Sequence, residues 1–307
     1  MGGVAACGAS GVLWAAWARV AAGSAQPGVD GVTPAGFAAD LARHLGTLGA
    51  ELREGTYRCQ PLRGLEMAGS GTKPRRLGLP TVRDRVAQRA VLHVFRRALD
   101  ADAAEVSFAY RKGRSWLDAL NQAGAYRDSG LRVVARSDVR NFFDTIDHDL
   151  LREVVTRVLG DVAVVELLLG WASAPRMTGN TLRQRVVGIP QGAPISPALA
   201  NLYLRGFDVE VHGRYGQLVR YADDIAVFCR DETDAFVAQA HVSTVLTRQR
   251  LETNAAKTYV SSFDRGFSML GWVFFGEGGW PEETHPHWRH PLDRRPAGGH
   301  RPTVHVT

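Results

Sequence analysis

The amino-acid sequence predicts an α+β fold. Two kinds of segment and one composition figure carry that prediction. Residues 34–54 and 84–99 repeat apolar side chains at three- and four-residue steps, the period of a helix with one buried face. Residues 131–138 and 217–229 are short apolar runs of strand length, each ending in or interrupted by acids. The 307 residues are 45% hydrophobic and 22% charged, which excludes disordered, collagen-like and fibrous chains.

The elements follow in order. The first twenty residues, MGGVAACGASGVLWAAWARV, hold no charge before Arg19. A secretory signal normally places basic residues before its apolar run. A membrane span is rarely so rich in Gly and Ala with an Arg close behind. Leu13, Trp14, Trp17 and Val20 sit at helical spacing and predict an amphipathic helix packed on the body. Residues 24–37, SAQPGVDGVTPAGF, carry turn chemistry, with Thr33 as N-cap and Pro34 at the first helical position. A helix over about 34–54 follows through Phe37, Leu41, Leu45, Leu48 and Leu52. KPRRLGLP (73–80) reads as a short strand, and 84–99 as a helix through Val86, Ala90, Val94 and Leu99.

LRVVARSD (131–138) reads as a strand ending in an acid, and Asp147 as the N-cap of a helix to about Val158. Within 186–205 a Gly/Pro-rich loop, IPQGAPISP, enters a helix, ALANLYL. QLVRYADDIAVFC (217–229) reads as two strands joined by a tight acidic turn. A helix over about 232–251 and a short strand over about 257–263 come next. From about 276 the chain gathers five of its fourteen prolines and five of its ten histidines, which predicts an irregular tail.

The balance of 37 Lys+Arg against 31 Asp+Glu gives a net charge of +6, which fits a polyanionic partner without requiring one. Only three basic residues are Lys (Lys73, Lys112, Lys257) in a chain rich in Ala, Gly and Val, so the arginine excess is compositional and argues nothing about chemistry. Cys7, Cys59 and Cys229 are too few and too scattered for a disulfide framework or a zinc cluster. Reduced thiols and a cytoplasmic location, with no membrane, are expected.

Tyr221 to Asp224, YADD, is the most informative segment. Adjacent carboxylates at a hairpin tip are costly unless a cation shares them. Asp138 lies at the end of another apolar strand; if the strands are neighbours, Asp138 and Asp223 converge. Carboxylates so placed suit Mg²⁺, and two such ions about 4 Å apart clamp attacking and leaving oxygens in phosphoryl transfer. Asp-Asp alone is a common turn dipeptide. The order of strand-Asp, Gly/Pro-rich loop entering a helix, then Asp-Asp in a hairpin is far more specific.

The sequence resembles reverse transcriptases, most closely the group II intron type. GVDGVTPAGF (28–37) resembles their N-terminal motif, KPRRLGLPTVRDRVAQRAV (73–91) the first fingers motif and FAYRKGRSWLDAL (108–120) the second. SDVRNFFDTIDHDLL (137–151), GIPQGAPISPALANLYL (188–204) and VRYADDIAVF (219–228) match palm motifs A, B and C. Lys257 with its preceding helix resembles motif D, and FSMLGWVF (267–274) motif E.

The resemblance implies a right-hand polymerase of fingers–palm architecture, with an antiparallel palm sheet backed by helices. It implies an N-terminal extension and fingers over 1–130. The palm would span 131–275, with an interleaved finger segment at about 150–187, and a tail 276–307. Asp138 and Asp223 would hold two Mg²⁺ ions (Mn²⁺ as a substitute), with Asp224 in support. Lys257 would donate a proton to pyrophosphate. Lys73 and Arg75 would grip the triphosphate, with Arg76 standing where these enzymes often have Pro. Phe143 falls at the steric gate, where a bulky ring excludes a 2′-hydroxyl and favours dNTPs. Gln191 and Gly192 would line the nascent base pair. Arg83, Arg85 and Arg89, with Arg96 and Arg97, would track a template backbone or form an exposed basic face.

The implied activity is RNA-directed DNA polymerisation on an RNA template with a DNA or RNA primer and dNTPs. Intron-encoded members continue past motif E into a helical thumb, but only 36 residues follow Gly271 here, with little apolar periodicity. A missing or vestigial thumb is therefore expected. A protein partner or a second copy would supply its function, or the chain belongs to a compact CRISPR-associated or phage-defence lineage, or it is truncated and weakly active. A catalytically weak or inactive nucleic-acid-binding protein on the same fold is the alternative. The Val-Thr-Gly of retron enzymes is absent. His285, His287 and His290 have a spacing able to touch a metal, though a solvated tail is the simpler reading.

Overall fold

The computed structural model describes residues 3–67, 75–100 and 105–282. Eleven strands are present among them: β1 (Leu62–Met67), β2 (Arg75–Leu79), β3 (Val133–Asp138), β4 (Arg176–Thr178), β5 (Thr181–Arg183), β6 (Leu218–Tyr221), β7 (Asp224–Cys229), β8 (Tyr259–Ser262), β9 (Phe267–Met269), β10 (Trp272–Phe275) and β11 (Gly278–Pro281). The central sheet has the order β6-β7-β3-β8 and is antiparallel throughout. It is the sheet expected for the palm.

Side chains alternate across this sheet with period two, yet both faces are covered. Val133, Ala135, Ile225 and Val227 join the larger core, with Ala235, Ala238, Val242 and Val245 of the helix Glu232–Arg248. Val134, Ala226 and Phe228 face a smaller aromatic core of Phe263, Phe267 and Phe274, closed by Ala119, Leu120 and Ala123 of the helix Trp116–Asp128. Double-sided burial is why the acid-bearing strands read as continuous apolar runs.

A second sheet, β2-β1-β4-β5, joins N-terminal strands to a hairpin from residues 176–183, with β1 and β4 parallel. The third, β11-β10-β9, is a C-terminal meander. Helix Ser10–Ala21 buries Leu13, Ala16, Trp17 and Val20 as its spacing predicts, while Trp14 stays exposed. Thr33 caps Pro34–Ala38 by accepting from the Gly36 N–H, and Asp147 caps His148–Leu159 through the N–H groups of Asp149 and Leu150.

Several boundaries differ from expectation. The helix expected over 34–54 is two, Pro34–Ala38 and Leu41–Glu54. The chain turns at Asp40 (φ −136°), which lets Phe37 stack on Trp17 at 5.4 Å and meet His44 at 4.5 Å. The helix expected over 84–99 runs Val82–Val94 and then Arg96–Asp100. The one expected to 251 ends at Arg248, and Arg250 takes φ +56°. Residues 278–281, expected in an irregular tail, instead form β11, because they pair with β10. Lys73, Pro74, His285, His287 and His290 lie outside the described residues. Cys7, Cys59 and Cys229 are free thiols. Among the described residues no helix is long and apolar enough to cross a membrane.

Candidate active site

The central sheet brings the acids together. Asp138 closes β3 directly opposite Asp224, and the Val139 N–H donates to the Asp223 carbonyl at 3.1 Å. The tight turn between β6 and β7 is Ala222–Asp223, with Ala222 in the left-handed region at φ +57°. Burial, and then the nearby Asp138 charge, push the Asp223 carboxyl up to about 6. A carboxyl whose proton affinity is raised beside a second carboxylate is the electrostatic signature of a shared cation site.

Asp138 has two further partners. The Asn254 side-chain amide donates to its Oδ1 at 3.1 Å, and Lys257 Nζ lies 2.9 Å from its Oδ2. Burial lowers the Lys257 ammonium pKa, but the Asp138 carboxylate more than offsets it and the net direction is upward. Lys257 is therefore fully protonated beside the acids. The Asp224 carboxylate is paired with Arg136 at 2.6 Å. Among the described residues no three His, Cys, Asp or Glu side chains converge as a ligand set. Asp138 and Asp223 thus lie side by side, and Asp224, directly opposite Asp138 on the neighbouring strand, is paired with Arg136.

The turn is also held from behind. Arg220 and Asp208 are both 1% exposed. The guanidinium is bidentate to Asp208, through Nε at 2.6 Å and Nη2 at 2.5 Å. It also donates to the Ser107 hydroxyl at 2.8 Å and to the Ala222 carbonyl at 3.0 Å. The last bond fixes the residue whose backbone makes the turn.

The 188–192 loop is held against the segment that follows β3. Gly188 has φ +80°, and a Cβ there would lie 2.7–2.8 Å from the Asp144 backbone. This closeness lets the Gly188 and Ile189 N–H groups reach the carbonyls of Ile146 and Phe143, each at 2.7 Å. His148 Nε2 lies 2.7 Å from the Gly188 carbonyl. Phe143 is half-buried, edge-on to buried Phe142 with ring centroids 5.7 Å apart. On the other side of the loop the Gly78 N–H of β2 donates to the Gln191 carbonyl at 2.8 Å. Gly192, at φ +107°, lies exposed beside Gly78. β2, opened by Arg75, is thus stitched to the loop carrying Gln191 and Gly192.

Two of the basic residues expected on template do other work. Arg85 is 6% exposed and donates to the carbonyls of Ser24 and Gln26, bracing the N-terminal turn. Arg83 pairs with Glu51, donates to the Arg58 carbonyl at 3.2 Å and covers the Tyr57 ring at 4.6 Å. Both satisfy buried or half-buried neighbours instead of facing outward. Arg89 stays at the exposed face of its helix, next to the Arg19 charge. Sequence reasoning missed Arg136, Arg220, Asp208, Asn254, Gly188 and His148. The two arginines had a signal: each is a charge inside an apolar strand beside a candidate acid.

Residues 68–274 match the model of the family described as Reverse transcriptase (RNA-dependent DNA polymerase), more than half of the chain. The chain belongs to the reverse transcriptase family. Protein YkfC of Escherichia coli (strain K12) is 35% identical over 197 residues, covering 63% of this chain and 52% of that protein. Group II intron-encoded protein LtrA of Lactococcus lactis subsp. cremoris is 31% identical over 158 residues, covering 51% of this chain and 26% of that protein. The lineage is group II intron-like. The chain spans about half the length of the first relative and about a quarter of the second. The structure of telomerase from Candida albicans with a TWJ fragment of telomeric RNA aligns at a TM-score of 0.58 and 10% identity, over 78% of this chain and 48% of that one. That likeness is one of fold, the fingers–palm architecture.

Proposed function

We propose that this protein is an RNA-directed DNA polymerase that extends a primer with dNTPs. The observation that carries the reading is the convergence of Asp138 and Asp223 at the end of paired palm strands.

The donor set fits Mg²⁺: hard carboxylate oxygens, adjacent, with that of Asp223 raised to about 6 by burial and by the Asp138 charge. Asp138 and Asp223 would hold the ions. Ions held there would supply a lowered pKa for the primer 3′-hydroxyl and neutralisation of charge on the leaving pyrophosphate. The chain's own residues do the rest. Asn254 orients Asp138, and Arg220 fixes the turn that presents Asp223. Lys257, protonated and 2.9 Å from Asp138, stands ready to give a proton to the departing pyrophosphate. Phe143, fixed through its carbonyl to Ile189, presents its ring to the sugar and rejects a 2′-hydroxyl. Gly192, without a side chain, lets the nascent base pair approach closely. Lys73, outside the described residues, and Arg75 are assigned to the triphosphate by their match to the first fingers motif. Arg89 supplies the basic contact to template that Arg83 and Arg85 do not.

The test is primer extension on an RNA template in Mg²⁺, run with dNTPs or rNTPs alongside a binding assay. Extension with dNTPs over rNTPs supports the reading. Tight binding without extension supports the non-catalytic alternative instead.

A further inference from the structure

Phe143 lies on the short helix Phe142–Thr145, between β3 and the helix His148–Leu159. This 142–148 segment is tied to the 188–192 loop at three points. The Ile189 N–H donates to the Phe143 carbonyl and the Gly188 N–H to the Ile146 carbonyl, each at 2.7 Å. The third tie is a side chain: His148 Nε2 lies 2.7 Å from the Gly188 carbonyl. A carbonyl oxygen only accepts, so Nε2 carries the proton in this contact. Gly188 is buried, and both of its backbone polar groups are satisfied by the segment. The loop has little other hold at this point. Gly188 has no side chain to pack, and Val186 and Val187 before it are 83% and 45% exposed. The far side of the segment is held independently. Arg250 pairs with Asp147 at 2.6 Å. The Tyr203 hydroxyl accepts from the Asp147 N–H at 3.4 Å and donates to the Gln249 carbonyl at 2.6 Å. Losing the His148 donor therefore loosens the loop from the segment without releasing the segment itself.

We propose that His148 is a positioning residue for sugar selection. By pinning Gly188 it fixes the loop of Gln191 and Gly192 against the segment that carries Phe143, and so sets how closely the Phe143 ring meets the sugar. This rests on the polymerase reading above and on Phe143 as its gate. A steric gate rejects a single hydroxyl by contact, so it discriminates only where the ring and the surface opposite it keep a fixed spacing. His148 acts through the Gly188 carbonyl and supplies one hydrogen-bond donor at a set reach. Another donor of the same reach can therefore replace it, whereas an apolar side chain of similar bulk cannot.

The test measures single-nucleotide incorporation by the full chain on a primed RNA template, giving kcat/KM for a dNTP and for the matching rNTP. His148→Leu keeps the bulk and loses the donor. It should raise the rNTP kcat/KM in absolute terms and lower the dNTP-to-rNTP ratio at least fivefold. Damage to the fold would instead slow both nucleotides together. His148→Gln, whose amide nitrogen reaches as far as Nε2, should restore the ratio to within twofold of the parent. Phe143→Ala should lower the ratio at least tenfold. Adding His148→Leu to it should lower the ratio no more than twofold further, because both changes act on one gate. The proposal is overturned by a parental ratio in His148→Leu or by equal slowing of both nucleotides. Failure of His148→Gln to rescue, or losses that multiply in the double variant, overturn it as well. Should His148→Leu fail to fold, His148→Asn takes its place, since its shorter amide cannot reach Gly188. A ratio at least fivefold lower then supports the latch, and a parental ratio refutes it. An unchanged ratio in Phe143→Ala overturns the gate and this proposal with it, while polymerisation stands. If the parent incorporates neither nucleotide, the polymerase reading itself is what has failed.

Discussion

Replacing Arg220 by Met should destabilise this protein by about 3–5 kcal/mol, the cost of removing one partner from a buried ion pair. The structure supports the upper part of that range. Arg220 and Asp208 are each 1% exposed, and the guanidinium makes five bonds, two to Asp208 and one each to Ser107, Asn201 and the Ala222 carbonyl. Met fills the volume but leaves the Asp208 carboxylate without a counter-charge. The stranded acid can escape only by protonating, and taking up a proton at pH 7 against an ordinary pKa near 3.9 costs about 4 kcal/mol. That sets a ceiling consistent with the mutational range. The assay is urea-induced unfolding followed by circular dichroism, on the parent, Arg220→Met, Asp208→Leu and the double variant. The double variant removes both charges and should recover to within about 1–2 kcal/mol of the parent, since apolar replacement of a whole buried pair is often close to neutral. A loss below about 1 kcal/mol for Arg220→Met, or a double variant weaker than both single ones, would refute the assignment of this pair as the support of the turn.

Other predictions follow from the same geometry. Gly188→Ala should cost roughly 2–5 kcal/mol, combining a left-handed backbone with a Cβ placed against the Asp144 backbone; urea unfolding checks it, and a neutral result would mean the loop is free to move. Phe143→Ala should raise rNTP use relative to dNTP by at least tenfold in competition assays, and an unchanged ratio removes it as the sugar gate. Asp223 titrates near 6 in the fold against an ordinary value of 3.8, so the folded state holds its proton more tightly between those values. The resulting stabilisation is complete below about pH 3.8 and is lost as pH rises through about 6. In EDTA the parent should therefore lose up to about 3 kcal/mol relative to Asp223→Asn between pH 4 and 7, and a constant difference would contradict the raised value. Burial raises the Cys7 and Cys229 thiols to about 12 and Cys59 to about 11. At pH 8 alkylation by iodoacetamide should be at least tenfold slower than for a free thiol near 8.5, with rapid labelling the contrary result.

What could be read in advance was whatever depends on neighbours in the chain. Asp138 and Asp223 stood out because acids at the ends of apolar strands are costly without a purpose. Thr33 and Asp147 were legible as caps because capping acts across two or three residues. The helix Val162–Ala172 was not, since it carries apolar residues on most sides and shows no amphipathic period. β11 was missed because Gly278–Pro281 has no strand character of its own and takes its conformation from β10. Arg85 looked like a template contact on its helix, but its partners, the carbonyls of Ser24 and Gln26, lie about sixty residues earlier. Asp224 stood out from its place beside Asp223, but its pairing with Arg136 did not: it is a diagonal contact between strands far apart in sequence, visible only once the register of β3 on β7 is known.

The most direct measurement is single-turnover addition of one dNTP to a primed RNA template in Mg²⁺, comparing the parent with Asp138→Asn and Asp223→Asn. The account predicts that the parent adds the nucleotide and that each variant, folded and still binding the primed template, is slower by at least a thousandfold. Incorporation at a parental rate by either variant would contradict it.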